Sequence, residues 1–248
     1  MTLQVNAEII DCKVISATFI VTYVNKNAMS KTAVILGASG ATGSELLQLL
    51  LADSRYSKIK LFVRKSLNMA NPKIEEHVID LLQLEKYAAD FTADEVYCCI
   101  GTTKAKTPDR GEYHKIDFGI PVTAAKLAKA NGIGTYIVVS AIGANKSSSI
   151  FYSRTKGEMQ EAVQQQNISN TFILQPSLIV ARRKESRIME QLFIGVWKLV
   201  NPLLWGGAAK YKSVTAVNIA KAMVWLANYN YPDVIVTSDK INELAVKQ

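Results

Sequence analysis

The segment Ala33-Val34-Ile35-Leu36-Gly37-Ala38-Ser39-Gly40-Ala41-Thr42-Gly43 decides the architecture. Four apolar residues, with β-branched Val34 and Ile35 at their centre, have the pattern of a short buried strand. Glycines follow at every third position, and Leu46, Leu47 and Leu50 then fall at helical spacing. Glycines permit the tight turn and let the backbone approach a phosphate. The N–H groups and the dipole at the start of the helix stabilise its charge. A glycine-rich turn without a ligand is the competing reading. The placement of the loop between a strand and a helix, at the head of a βαβ series, selects the phosphate cradle. Gly37, Ser39, Gly40, Ala41, Thr42 and Gly43 are therefore the first candidate cofactor contacts.

Outward from this loop, short apolar runs alternate with amphipathic stretches, the signature of βαβ units and a parallel sheet. Strands are predicted at residues 33–36, 59–63, 77–79, 96–100, 136–139, 171–174 and 234–236. Helical stretches carry Leu46, Leu47 and Leu50, then Val122, Ala125, Leu127 and Ala128, then Phe151–Gln165, and finally Ile241, Leu244 and Ala245. The fold class is α/β: a doubly wound, mostly parallel Rossmann-type sheet with helices on both faces, in one domain over residues 29–248. Past Pro176 the order is less regular, and residues 177–248 are read as a substrate-side elaboration of the same domain. Residues 1–28 are read as an N-terminal extension upstream of Met29. Their apolar run lacks the basic flank and cleavage site of a signal peptide.

The chain has 248 residues and a net charge of +8, from 29 basic and 21 acidic side chains. That field favours anionic partners without choosing among them. No apolar run approaches the roughly 20 residues of a membrane span, and no membrane association is expected. There is no nucleic-acid module or stacking platform, so no nucleic-acid partner is expected. Cys12, Cys98 and Cys99 have neither disulfide nor metal-ligand spacing, and no metal is expected. The unpaired cysteines suggest a reducing, cytoplasmic setting. Trp197, Trp205 and Trp225 are read as core residues.

The second strand ends Leu61-Phe62-Val63-Arg64-Lys65. An acidic residue here would meet a ribose 2′-hydroxyl, whereas a basic one accommodates a 2′-phosphate. Arg64 and Lys65 therefore predict NADP(H), the alternative being a solvated basic strand end. Further on, Tyr152-Ser153-Arg154-Thr155-Lys156 is a Tyr-x-x-x-Lys pair on a helical stretch, where positions four apart share a face. A cation near the phenol favours its ionised form, and such a tyrosine can exchange a proton with a carbonyl or alcohol oxygen. Tyr56 and Lys60 have the same spacing but run into a strand, and are read as accidental.

The order of these motifs resembles the short-chain dehydrogenase/reductases across residues 30–248. Within them it is most similar to the atypical branch of the Tat-interacting, oxidoreductase-like protein and its bacterial relatives. The residues that carry this likeness are Gly37–Gly43, Cys99-Ile100-Gly101-Thr102-Thr103, Lys146-Ser147-Ser148 before Tyr152 and Lys156-Gly157-Glu158, and Pro176 followed by Arg183–Arg187. The resemblance implies a Ser140, Tyr152 and Lys156 triad, with Ser140 twelve positions before Tyr152. It also implies that Asp80-Leu81 meets the adenine, that Gly101-Thr102-Thr103 lies beside the cofactor ribose, and that Pro176 borders the cofactor. Two features depart from the pattern. Leu36 stands where many relatives have threonine, and no asparagine completes a catalytic tetrad.

These readings lead to an NADP(H)-dependent oxidoreductase acting on a small carbonyl or alcohol. The alternatives are a redox-responsive NADP(H)-binding regulator with a protein partner, and an epimerase or dehydratase that retains its nicotinamide. Arg182-Arg183-Lys184 and Arg187 either grip a substrate anion, close over the cofactor, or form a solvated loop.

Overall fold

The structure is a computed structural model that describes residues 30–180 and 211–248. The extension 1–28, the basic run 182–187, Lys210, Trp197 and Trp205 lie outside the described residues.

The first strand, β1 (Lys31–Leu36), is fully buried over Ala33–Leu36. It leads through the glycine loop into α1 (Ala41–Ala52), and β2 (Tyr56–Val63) and β3 (Ile74–Val78) follow. A 3₁₀ helix (Leu81–Tyr87) connects to β4 (Glu95–Cys98). Next come α2 (Arg110–His114), a π-helical turn (Lys115–Gly119) and α3 (Ile120–Ala130). The remaining elements are β5 (Thr135–Val139), α4 (Phe151–Gln164), β6 (Asn170–Gln175), the short β7 (Ile179–Val180) and β8 (Val214–Thr215), α5 (Ala216–Asn228), β9 (Ile235–Thr237) and α6 (Ser238–Val246).

Seven strands form one sheet in the order β3-β2-β1-β4-β5-β6-β9, and every pairing is parallel. The strand order reverses between β1 and β4, which opens a crevice at their carboxyl ends where such sheets bind ligands. Alternate strand residues feed two apolar layers. Ala33 and Ile35 pack with Leu46, Leu47 and Leu50 of α1 and with Ile219, Met223 and Leu226 of α5. Val34 and Leu36 pack on the other face with Ala125, Ala128, Met159 and Val163. Cys98 joins this second layer and Cys99 the first, so the adjacent thiols point to opposite faces as expected.

The strand limits differ from the sequence reading by one to three residues, and the second strand begins at Tyr56 rather than Ile59. The third strand begins at Ile74 rather than His77, because its residues are only half-buried at the sheet edge and their polarity hides the pattern. His77 stacks on Phe62 with ring centroids 4.6 Å apart. The fourth strand begins at the buried Glu95 and ends at Cys98, releasing Cys99 and Ile100 into the loop beside the glycine turn.

At the amino end of the sheet Glu95 is satisfied by a polar cluster. Lys31 Nζ lies 2.5 Å from Glu95 Oε1, while the hydroxyls of Tyr56 and Tyr97 donate to Oε2 at 2.7 and 2.6 Å. Asn228 Nδ2 donates to Tyr56 Oη at 3.0 Å, tying the cluster to α5. Tyr56 is thus a structural residue, and Lys60 instead donates to Asp90 O and Thr92 Oγ1.

Candidate active site

The glycine loop crosses the crevice with little space to spare. Gly37 has φ +84°, and a Cβ there would stand 2.8 Å from the carbonyl oxygen of Cys99. A Cβ on Gly43 would lie 2.1 Å from the carbonyl oxygen of Gly37. The loop can close this tightly only without side chains at these two positions. Gly40 N–H donates to Gly37 O at 2.9 Å, and Ser44 N–H makes the first helical bond, to Gly40 O. The amides of Ala41, Thr42 and Gly43 precede that bond and have no intrahelical acceptor. No side chain caps α1, and its first turn holds no acidic residue. Donors and helix dipole are thereby left for an anion from outside, which fits the pyrophosphate of a dinucleotide.

A cleft of about 690 Å³ runs from this loop along the ends of β1, β2 and β4. Gly37, Ser39, Gly40, Arg64, Lys65, Leu81 and Gly101 all line it, so residues far apart in the chain converge on one surface. Ser66 and Lys106 line it as well, and sequence reasoning missed both. Lys106 adds a third cation to the lining of the cleft. The loop after β2 is anchored by Glu76, which accepts from Ser66 Oγ at 2.5 Å and from Leu67 N–H at 3.0 Å.

Two residues expected at the cofactor have other roles in this structure. Asp80 caps the 3₁₀ helix, accepting from Leu82 N–H at 3.0 Å and from Gln83 Nε2 at 3.0 Å. These bonds, led by the one from Leu82, hold its carboxyl below the usual range. Pro176 is buried after β6, where its carbonyl accepts from Ile142 N–H, and it lines neither cavity described here.

Thr102 and Thr103 border a second cavity of about 490 Å³ together with Tyr152, which is 42% exposed at the start of α4. Lys156, one turn further along α4, is buried, and its Nζ lies 2.8 Å from Asp117 Oδ1. Asp117 is 1% exposed. Its Oδ2 accepts from Thr102 N–H at 2.8 Å. The approach of Lys156 to Oδ1 is close but poorly angled for a hydrogen bond, so that oxygen keeps acceptor capacity. Gly101 lies against the pair: a Cβ there would be 3.6 Å from Asp117 Oδ1 and 3.9 Å from Lys156 Nζ.

Asp117 is the main residue that sequence reasoning missed. It sits in the π-helical turn, a distortion that recurs at functional sites. The usable signal was a carboxylate between Ile116 and Phe118 in an otherwise apolar helical face.

Proximity of Lys156 was expected to lower the Tyr152 phenol. The structure shows the reverse: burial, and then the negative charge of Asp117, push it up. The ammonium is engaged by Asp117. Ser140 is buried, and its Oγ accepts from Gln160 Nε2 at 2.6 Å, while Gln160 Oε1 accepts from Gln175 at 3.0 Å. The three residues of the expected triad thus gather around α4 with Ser140 and Lys156 already partnered and the Tyr152 phenol open to the second cavity.

A family model described as NAD(P)H-binding matches residues 37–191. The chain is 33% identical to Protein HTATIP2 of Rattus norvegicus over 79% of its length and 80% of that relative. It is 32% identical to Protein FMP52-1, mitochondrial, of Scheffersomyces stipitis over 68% of its length and 77% of the relative. Among solved structures, ADP-L-glycero-D-manno-heptose-6-epimerase of Helicobacter pylori superposes with a TM-score of 0.63 at 14% identity, covering 89% of this chain and 82% of that one. The last likeness shows the fold. The relatives overturn the cytoplasmic expectation, since FMP52 proteins of Scheffersomyces stipitis, Candida albicans and Aspergillus niger are all named mitochondrial. The error has a simple cause: unpaired cysteines argue against an oxidising compartment but do not separate one reducing compartment from another. The chain belongs to the NAD(P)H-binding family, in the atypical short-chain dehydrogenase/reductase branch with HTATIP2 and FMP52.

Proposed function

We propose that this protein is an NADP(H)-dependent reductase of a small carbonyl compound. One observation carries the reading. A cleft that joins a helix N-terminus to Arg64, Lys65 and Lys106 adjoins, through Gly101 and Thr102, a cavity into which the Tyr152 phenol opens. The amides of Ala41, Thr42 and Gly43 bind the pyrophosphate, and Arg64 and Lys65 neutralise the 2′-phosphate. The cofactor, when bound as NADPH, would supply the hydride that the carbonyl carbon takes up and would become NADP⁺. Tyr152 gives its proton to the carbonyl oxygen, and solvent replaces it. Ser140 orients that oxygen by donating its hydroxyl hydrogen, which the bond accepted from Gln160 leaves free. Lys156, steadied by Asp117, would hold the nicotinamide ribose. The raised phenol suits this direction, because a proton donor must be protonated at the working pH.

The test is a titration with NADPH and NADH followed by thermal stabilisation, since a ligand of the folded state raises its apparent stability. NADPH is expected to bind at least about tenfold more tightly than NADH, and R64A/K65A to erase that preference. Equal binding of the two in the parent protein overturns the NADP(H) assignment. A second reading, an NADP(H)-responsive regulator, draws support from the Ser140–Gln160 bond. It predicts the same titration with no NADPH oxidation across a panel of aldehydes and ketones.

A further inference from the structure

The cavity beside Tyr152 is specific enough to name a substrate class, in an argument that rests on the reductase reading above. Its walls are apolar and partly aromatic: Pro108, Ile150, Phe151 and Tyr113 contribute to them. Tyr113 and Phe151 meet edge to face with centroids 5.6 Å apart, which fixes a rigid corner. The Arg110 guanidinium lies 5.5 Å from the Phe151 centroid and caps this corner with charge. Arg154 approaches the same ring at 5.9 Å, but it is tied to the carbonyl of Ser148 at 3.0 Å.

The polar groups of the cavity divide into two kinds. Thr102 Oγ1 and Thr107 Oγ1 share a hydrogen bond of 2.9 Å, and Tyr113 Oη donates to Thr102 O at 3.3 Å. These groups are already partnered and offer little to a polyhydroxylated ligand such as a sugar. Lys104 and Arg110, in contrast, form no ion pair with an acidic side chain among the described residues. The carboxylate next to Arg110, Asp109, caps α2 by accepting from Glu112 N–H at 2.7 Å. A wholly apolar ligand would desolvate two uncompensated cations with no return.

We infer that the substrate is a flat apolar carbonyl compound, aromatic in the simplest case, that carries a carboxylate or another anionic group at its other end. The apolar body packs in the Tyr113–Phe151 corner, the carbonyl oxygen meets the Tyr152 hydroxyl, and Lys104 and Arg110 bind the anion. The reduced product is the corresponding alcohol with the anion unchanged.

Two matched pairs of probes test this on the NADPH-loaded protein. Binding is read by calorimetry with the unreactive 4-carbamoylbenzoate against 4-methylbenzamide. Turnover is read as NADPH oxidation with 4-carboxybenzaldehyde against 4-methylbenzaldehyde. A charge-assisted contact predicts a preference of about tenfold or more for the carboxylate in each pair. In K104A/R110A the ratio is expected to fall toward one, and in K104E/R110E to invert. A parent protein that binds the neutral probe as well as the anionic one, or that binds neither, overturns the inference without reference to any variant. Selective binding of 4-carbamoylbenzoate with no oxidation of NADPH by either aldehyde would leave the anion-ended ligand class standing and remove the reductase reading.

Discussion

Asp117 Oδ1 and Lys156 Nζ meet at 2.8 Å in the protein interior, where one carboxylate also accepts the Thr102 amide from the loop between the two cavities. The π-helical turn delivers the acid and α4 delivers the base, so the pair joins the two elements in the interior, beside the half-exposed contact of His114 with Glu158. Its worth depends on both partners being present. Removing Asp117 alone strands a buried cation, and D117A is expected to cost about 3–5 kcal/mol. Replacing both, as D117L/K156M, should restore most of that stability while abolishing turnover. Urea midpoints of the two variants at equal slope provide the check.

The raised Tyr152 phenol gives the pH profile a definite sign. Reduction uses the protonated phenol, and burial and Asp117 both hold the proton on. The rate of carbonyl reduction should therefore show no loss from this group until the pH exceeds the ordinary tyrosine value of 10.0. D117N removes the repelling charge and should move that alkaline limb to lower pH. Y152F should lower kcat by about 10²–10⁴-fold below that limb and abolish the limb itself. A profile of kcat/KM against pH for the parent and D117N decides the matter, and identical limbs would break the link between the two residues.

Gly43 tests the cofactor loop without touching a charge. The Cβ of G43A would stand 2.1 Å from Gly37 O, so the loop backbone must shift and carry the helix amides away from the pyrophosphate. NADPH affinity is expected to fall by at least about tenfold, with a loss of stability of about 1–3 kcal/mol from overpacking. G134A is the control, because nothing lies within 4 Å of the Cβ it would add. The stabilisation conferred by saturating NADPH, compared between the two variants, gives the answer.

The polar cluster at the other end of the sheet should affect folding alone. K31M leaves Glu95 with its two tyrosine donors but removes the cation 2.5 Å from Oε1. A loss of about 1–3 kcal/mol is expected, with the NADPH dissociation constant unchanged. Denaturant melts and cofactor titrations on the same preparation would show whether the two ends of the sheet are independent.

The parts of the fold that could be read from the chain are those where one physical requirement dominates. Ala33–Leu36 and Tyr136–Val139 are apolar because both sheet faces are covered, and the helical stretch from Phe151 was read to within one residue of its observed end. The edge strand β3 has one covered side at most, so Glu75, Glu76 and His77 blurred its limits. The site divides in the same way. The glycine loop and Arg64-Lys65 are each contiguous in sequence, and residues of both stretches line the cleft. Lys106 and Asp117 act through loops and helix distortions that bring distant residues together, and sequence spacing carries no such information. Asp80 shows the converse: a residue placed by resemblance is occupied in capping the element it starts.

The packing of α1 against α5 bears on how the protein is made. Leu46, Leu47 and Leu50 are also covered by Ile219, Met223 and Leu226, which lie far downstream of the glycine loop in the chain. Until those residues are available, the apolar side of the helix that opens the phosphate cradle is covered by the sheet alone. A nascent chain carrying the whole glycine loop and both basic residues would thus hold the cradle less firmly than the finished domain does. Firm cofactor loading is in this sense expected to await the segment that forms α5 rather than emergence of the motif itself.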